Sequence, residues 1–427
     1  MIAEKVATSC RVVERSNAGP IPPRMGALVA MVVMALMACS PQGTGDLVVW
    51  NTMRPEGRAI LDSLLTEFGA ACGVRCSQIY YEPEELRSNY QIASLGGSGP
   101  DLVYGPGDQV GPFSEMELVA TLESLLPPQF LEGFTPEGLV WRKGHLYQIS
   151  DQIGNHLHLV YNRALVPEPP QDTDTMIEIA RRLTRDEDGD GRMDYYGLAW
   201  NFEEPFFFVP FLGGFGGWVM DEAARPTLDT PATVDAFQFM YDLKFTHRVL
   251  PPESDYDTAD ALFKEGRAAM IINGPWSWAS YLNKGIDMGL ALIPKVNATG
   301  LWATPMVSTL GYSVNVNLRG PRLQLVLQLL QYLTSDDAQR AYARTMRTIP
   351  SRPAVLEDPV LAADALIGMS AAQAKVGRPM PVDPELRAVW DALRPNYQSV
   401  LNGTKSPAQA ARDSQADALK AIAEMNQ

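Results

Sequence analysis

The chain of 427 residues is longer than one hydrophobic core usually grows and comfortable for two lobes. Its 46% apolar and 20% charged residues are an ordinary globular composition, which excludes a disordered chain. The formal net charge of −15 argues against nucleic acid or an anionic membrane surface as the main partner.

One segment is suited to engage a membrane. Arg24 precedes an apolar run, Met25 to Ala38, that is too short to span a bilayer. It ends in Leu36-Met37-Ala38-Cys39-Ser40, which resembles a bacterial lipobox. Residues 1–38 then read as a lipoprotein signal peptide, with Met25 as a second candidate start. Cleavage leaves Cys39 lipidated and 39–45 as a flexible tether. The alternative is an ordinary secretory signal with an incidental cysteine.

Strand and helix alternate from there on. Leu47 to Trp50 reads as a strand, and Ile60, Leu61, Leu64, Leu65 and Phe68 recur at helical spacing up to a stop near Gly73. Cys72 and Cys76 flank that corner and, in an oxidising exported compartment, read as a small disulfide; two free thiols are the alternative. A strand near Gln78 to Tyr81, a helix from Glu84 to Ser94 and a strand from Asp101 to Tyr104 follow. This alternation is the pattern of a parallel α/β sheet. The intervening loop, Gly96 to Pro100, is no phosphate cradle: it lacks a lysine and leads into a strand.

Further strands read at His158 to Asn162, Tyr196 to Trp200, Leu290 to Pro294 and Ser308 to Asn317. His156 and His158 would share a strand face, as lobe-surface or hinge-adjacent residues, with no third metal ligand in view. Asp186, Asp188, Asp190 and Asp194, with Gly191 between, match the front of a calcium-binding loop, but Gly197 stands where the bidentate Glu should be. Such a site would be structural; a polar loop without an ion is the alternative.

Ala268 to Ile272 is a continuous apolar run of buried-strand type, and Asn273-Gly274-Pro275 is turn chemistry opening a helix. Trp276 and Trp278 then point to different sides, one toward a cleft and the other inward. Near the C-terminus Asp383-Pro384 opens a helix on which Trp390 and Arg394, four apart, share a face. Pro395 disfavours continued helix beyond them.

The stretch Asn273 to Trp278 resembles the N-G-P-W segment of periplasmic maltose/maltodextrin-binding proteins, the receptor components of ABC sugar importers. Gly99-Pro100-Asp101, Tyr161-Asn162-Arg163 with Pro167-Glu168-Pro169-Pro170, Glu204-Pro205 and Trp390 to Arg394 carry the resemblance along the chain from Asp46 onward. The family's Thr-Trp after the prolines is replaced by Gln171-Asp172-Thr173.

What the resemblance implies is an α/β, two-lobe periplasmic-binding-protein fold with a hinge and chain crossings. The lobes would be 46–153 with 304–352, and 154–303 with 353–427. Sugars present apolar ring faces and hydroxyl edges, so their sites combine aromatic planes with polar tips. Carried over by position, Asp108, Glu204, Trp276, Trp390 and Arg394 keep the family's ligand-binding types; Phe206 replaces Tyr and Asn155 replaces Glu. Gly105, Gln109 and Asp391 depart from the usual Trp, Arg and Tyr, and Arg54 stands near the place of an acidic contact. The implied protein is an exported, membrane-anchored, monomeric receptor that hands sugar to permease subunits, with no catalysis and no cofactor required. Two other readings are a same-fold receptor for a non-sugar solute and a glycoside hydrolase using Glu204 with Asp108.

Overall fold

The computed structural model describes residues 45–425; the expected leader, Cys39 and all but the last residue of the expected tether lie outside them. Two sheets organise the chain. The first lobe begins with β1 (Leu47–Asn51), β2 (Cys76–Tyr80) and β3 (Leu102–Pro106), with β1 between the other two and parallel to both. β4 (Leu139–Arg142) and β5 (His145–Asn155) complete its first pass. The chain then leaves through His156-Leu157 for β6 (His158–Asn162), β7 (Tyr196–Ala199), β8 (Ala268–Asn273) and β9 (Met288–Ala291), which form a separate sheet in the order β7-β8-β6-β9. It returns as β10 (Met306–Val314), inserted antiparallel between β3 and β5, followed by β11 (Ile349–Pro350) on the far side of β5. A short β12 (Arg378–Pro379) pairs with β10 before the C-terminal helices Glu385–Leu401 and Pro407–Met425.

Local chemistry accounts for the elements. The helix Pro55–Cys72 opens on a first-turn proline and ends at Gly73, whose φ of 70° is the left-handed cap a glycine adopts freely. The helix Thr173–Leu183 starts where the sequence departs from the family, because the Asp172 carboxylate accepts from the Thr175 N–H at 2.8 Å. All six residues of β8 are buried, as its unbroken apolar run predicts for a strand covered on both faces.

The Gly99-Pro100-Asp101 motif turns out to be structural. Asp101 accepts both the Val48 N–H and the forked guanidinium of Arg322, at 2.8, 2.7 and 2.8 Å, pinning β1, β3 and the helix Gly320–Leu333 together.

Each lobe has its own apolar centre. Leu47, Phe68, Tyr104, Tyr312 and Leu330 belong to the first; Trp200, Phe208, Phe237, Trp390 and Tyr397 belong to the second. In the second, Phe208 stacks on Phe237 at 4.5 Å, and the Trp200 indole donates to the Tyr397 hydroxyl at 2.8 Å. These contacts fix Glu385–Leu401 against the loop after β7. Val355, Leu361 and Ile367 pack with Ala343 and Ile349, so the chain after β11 first covers the hinge side of the first lobe.

The helix Thr173–Leu183 rides directly on β7 through Gly197, where an added Cβ would fall 2.2 Å from the Ala180 backbone. Gly197→Ala is expected to lower unfolding stability by about 2–3 kcal/mol, read from urea midpoints, because backbone rather than a flexible side chain must yield.

Three sequence expectations are corrected. Cys76 is a free, half-buried thiol, so the Cys72–Cys76 bridge does not form. Cys72 closes a helix, whereas the Cys76 sulfur lies one turn back beside Gly69, 3.8 Å from where its Cβ would be. Burial and then the carboxylates of Asp101 and Asp46 push the Cys76 thiol up to about 11. The helix Glu385–Leu401 runs through Pro395 rather than ending before it, its interior held by the buried Leu386, Leu393, Tyr397 and Val400. His156 and His158 are both fully buried, which rules out the lobe surface and leaves the hinge-adjacent place at the crossing; their rings lie 4.4 Å apart and His158 meets Trp278 edge-on.

Candidate functional site

The loops that follow β1, β2 and β3 lie at the carboxyl ends of parallel strands, where open α/β sheets expose backbone and side chains to a ligand. After β1, Arg54 sits 3.4 Å from the Glu82 carboxylate. After β2, Glu84 occupies the first turn of the helix Pro83–Leu95. After β3 comes Asp108, whose buried Oδ1 has no hydrogen-bond partner. Burial raises that carboxyl above its ordinary value against the pull of the Arg87 guanidinium. At Gly105 the Gln109 amide fills the space a side chain would take: a Cβ there would fall 2.4 Å from the Gln109 Oε1. Asn155 ends β5 beside Ser308 of β10, where the chain leaves the first lobe.

The second lobe supplies the aromatic face. Trp276 follows β8 in the helix Pro275–Asn283 and is half-buried, while Trp278 is 0% exposed. Hence the two tryptophans divide as their spacing predicts. The six-membered ring of the Trp276 indole packs on Gly274, where a Cβ would fall 2.1 Å from it. Phe206, on the loop after β7, stands 6.5 Å from Trp276 between centroids. Two residues earlier Glu204 holds the Arg394 guanidinium at 3.0 Å. Trp390 is only 6% exposed and belongs to the second-lobe core.

The two lobes meet at these residues. Glu84 lies 2.5 Å from Arg387 and 3.4 Å from Arg394, both on the second-lobe helix Glu385–Leu401. Arg54 of the first lobe lies over the ring of Tyr256 of the second, 4.2 Å from its centroid. Glu84, Glu204 and Arg394 therefore belong to one charged group, Asp108 feels its Arg87, Glu84 and Arg387, and Phe206, two residues beyond Glu204, neighbours Trp276. Asn155 takes no part in the ion pairs. Glu84, Arg87, Arg387 and Tyr256 were not identifiable as site residues from sequence; Glu84-Glu85 reads as ordinary first-turn acidity favoured by the helix dipole.

A groove of about 510 Å³ lies apart from the interlobe group, on the first lobe between Val119, Leu125, Tyr147 and Leu323. It is lined by none of the residues named above and has no aromatic plates facing polar tips. Within the acidic loop, Asp186, Asp188 and Asp194 place carboxylate oxygens within 4.8 Å of one another. Asp190 is outside that trio and accepts the Arg192 N–H at 2.7 Å. The loop also folds on its own amides: Asp186 accepts from Gly189 and Gly191 at 2.7 and 2.8 Å, which holds its carboxyl below the ordinary range.

Two separately cored α/β lobes, joined by crossing strands and carrying complementary groups on facing loops, define a cleft-binding protein. The chain belongs to the bacterial extracellular solute-binding protein family, whose profile matches residues 63–368. Within it the maltose/maltodextrin-type resemblance holds. A maltose/maltodextrin-binding domain from Bdellovibrio bacteriovorus, solved with maltotriose, is 41% identical with a TM-score of 0.86, covering 88% of this chain and 99% of that one. A maltotriose-binding protein of Pyrococcus abyssi is 27% identical over 370 residues, 85% of this chain and 79% of the relative. A galactooligosaccharide-binding protein of Bacillus subtilis is 22% identical over 412 residues, 90% of this chain and 93% of the relative.

Proposed function

We propose that the chain is the receptor of an ABC importer, capturing a maltotriose-sized oligosaccharide between its lobes and presenting it to a permease. The observation that carries this reading is the juxtaposition of an aromatic face, Phe206 and Trp276, with a charged rim contributed by both lobes, Glu204 and Arg394 opposite Asp108 and Glu84. Aromatic planes take the apolar faces of a pyranose, and the carboxylates and guanidinium take its hydroxyl edges, each of which both donates and accepts. Binding that touches both lobes favours the closed arrangement by its differential affinity for it. No bond need break. Lipidation at Cys39 would hold the receptor on the outer face of the membrane beside its permease.

Calorimetric titration against maltose, maltotriose, trehalose and a galactooligosaccharide tests the reading. Saturable heat with maltotriose is expected; flat heats across the panel would overturn it. Release of glucose from a maltodextrin by the purified protein would instead favour a hydrolase.

A further inference from the structure

The ion pairs between the lobes converge on one side chain. Glu84 projects from the first turn of Pro83–Leu95 and meets three guanidinium groups: Arg87 on its own helix at 2.6 Å, Arg387 at 2.5 Å and Arg394 at 3.4 Å. The last two come from the second lobe, about two turns apart on the helix whose buried face is fixed to the second-lobe core by Leu386, Leu393 and Tyr397. Arg394 is in turn held by Glu204 at 3.0 Å, and Arg387 by Asp391 at 2.7 Å. Glu84 is thus the first-lobe carboxylate to which the second lobe's arginines are tied.

The group is neither fully exposed nor fully buried. The Arg87 side chain is 10% exposed, Arg394 23% and Glu84 39%, so the charges attract through protein and thin solvent rather than bulk water. Burial alone would push the Glu84 carboxyl up; Arg87, Arg387 and Arg394 more than offset it and hold it below the ordinary glutamate value. Removing that one negative charge leaves Arg87, Arg387 and Arg394 facing one another without their common anion. Glu204 and Asp391 still pair with the second-lobe arginines, but the attraction across the lobes is lost.

We propose that Glu84 is a positioning residue for the cleft: it ties the first lobe to the second-lobe helix carrying Arg394 and fixes that guanidinium at the rim. The proposal deepens the sugar-receptor reading, which supplies the ligand Arg394 would meet, but the lobe tie itself is independent of any sugar.

The test compares Glu84→Gln with Glu84→Asp in the full mature chain, by small-angle scattering without sugar and by titration with maltotriose. Gln keeps the shape and loses the charge; Asp keeps the charge and loses a methylene. Glu84→Gln is expected to enlarge the radius of gyration of the sugar-free protein and to weaken maltotriose about tenfold. Glu84→Asp is expected to recover most of both. Superposable sugar-free scattering curves for wild type and Glu84→Gln would overturn the proposal, as would an Asp variant worse than the Gln variant, since shape and not charge would then matter. A thermal unfolding transition within a few degrees of wild type confirms that each variant is folded; Arg387→Gln, which cuts the same tie from the other lobe, must reproduce the expansion. Absence of sugar heat in the wild type would count against the receptor reading alone, because the scattering comparison still decides the lobe tie.

Discussion

Trp276→Ala is expected to weaken maltotriose binding by about thirtyfold to a thousandfold while leaving a cooperative thermal transition. The reason lies in how the two neighbouring indoles are placed. Trp276 is half-buried, packed on Gly274 and 6.5 Å from Phe206, so part of its ring is left for a sugar to cover. Truncating a large aromatic at the centre of a binding face costs about 2–4 kcal/mol or more, which is thirtyfold to a thousandfold in affinity. Its loss from the fold is smaller, because part of the ring already faces solvent.

Trp278 sets the contrast. It is 0% exposed and packs with Phe263, Tyr281 and Leu290 under the second sheet. Trp278→Ala is expected to cost about 3–5 kcal/mol of stability. Titration calorimetry and thermal unfolding on both variants separate the two roles. Intact sugar binding in Trp276→Ala, or loss of its unfolding transition, would move Trp276 from the cleft to the core.

That division between two residues shows what the sequence carries well. A helix opened by a proline turns consecutive residues by a fixed angle, so the spacing of Trp276 and Trp278 already places them on different sides. The same holds for the strands: the buried run Ala268 to Ile272 and the alternating β1 were legible because period and burial are local properties. Trp390 and Arg394 share a helix face as their spacing requires, yet the tryptophan turned inward and the arginine stayed at the rim. Which way a face points depends on what covers it, here Trp200, Phe208 and Tyr397 from elsewhere in the chain.

The largest miss comes from distance along the chain. Glu84 and Arg387 are 303 residues apart, and no local pattern announces that a first-turn glutamate will meet an arginine from the other lobe. At the cysteine pair close spacing suggested a bridge, but Cys76 stays a free thiol while Cys72 is disulfide-bonded elsewhere. Gln109 is a third case. It reads as a lost arginine until the structure shows it filling the space above Gly105.

Asp151 lies where none of these patterns reaches, and it is expected to make the first lobe less stable as pH rises. The register of β5 on β10 pairs Leu310 with Gln152 and Gly311 with Ser150, leaving Asp151 between them as the extra residue of a bulge. It is only 2% exposed. Its Oδ1 accepts from the Tyr104 hydroxyl at 3.1 Å, and its Oδ2 has no partner. Around it stand hydroxyls, Tyr104, Tyr312 and Tyr342, rather than a cation. Burial therefore dominates, and the carboxyl is pushed up to about 8, with the Tyr104 bond opposing.

An unfolded aspartate titrates near about 3.9, so between that value and about 8 the folded chain binds a proton that the unfolded chain has released. The stability tied to this proton is fully present below about pH 4, falls as pH rises, and is gone above the folded value. Asp151→Asn carries a neutral group of nearly the same shape and cannot lose a proton. Its unfolding free energy is therefore expected to gain on the wild type by roughly 4–6 kcal/mol between pH 4 and pH 8.5, an upper range set by the full shift. Urea denaturation at pH 4.5, 6.5 and 8.5 reads the difference directly. Parallel midpoints for the two proteins across that series would mean that Asp151 is ionised and hydrated in the fold, and that its bulge opens to water.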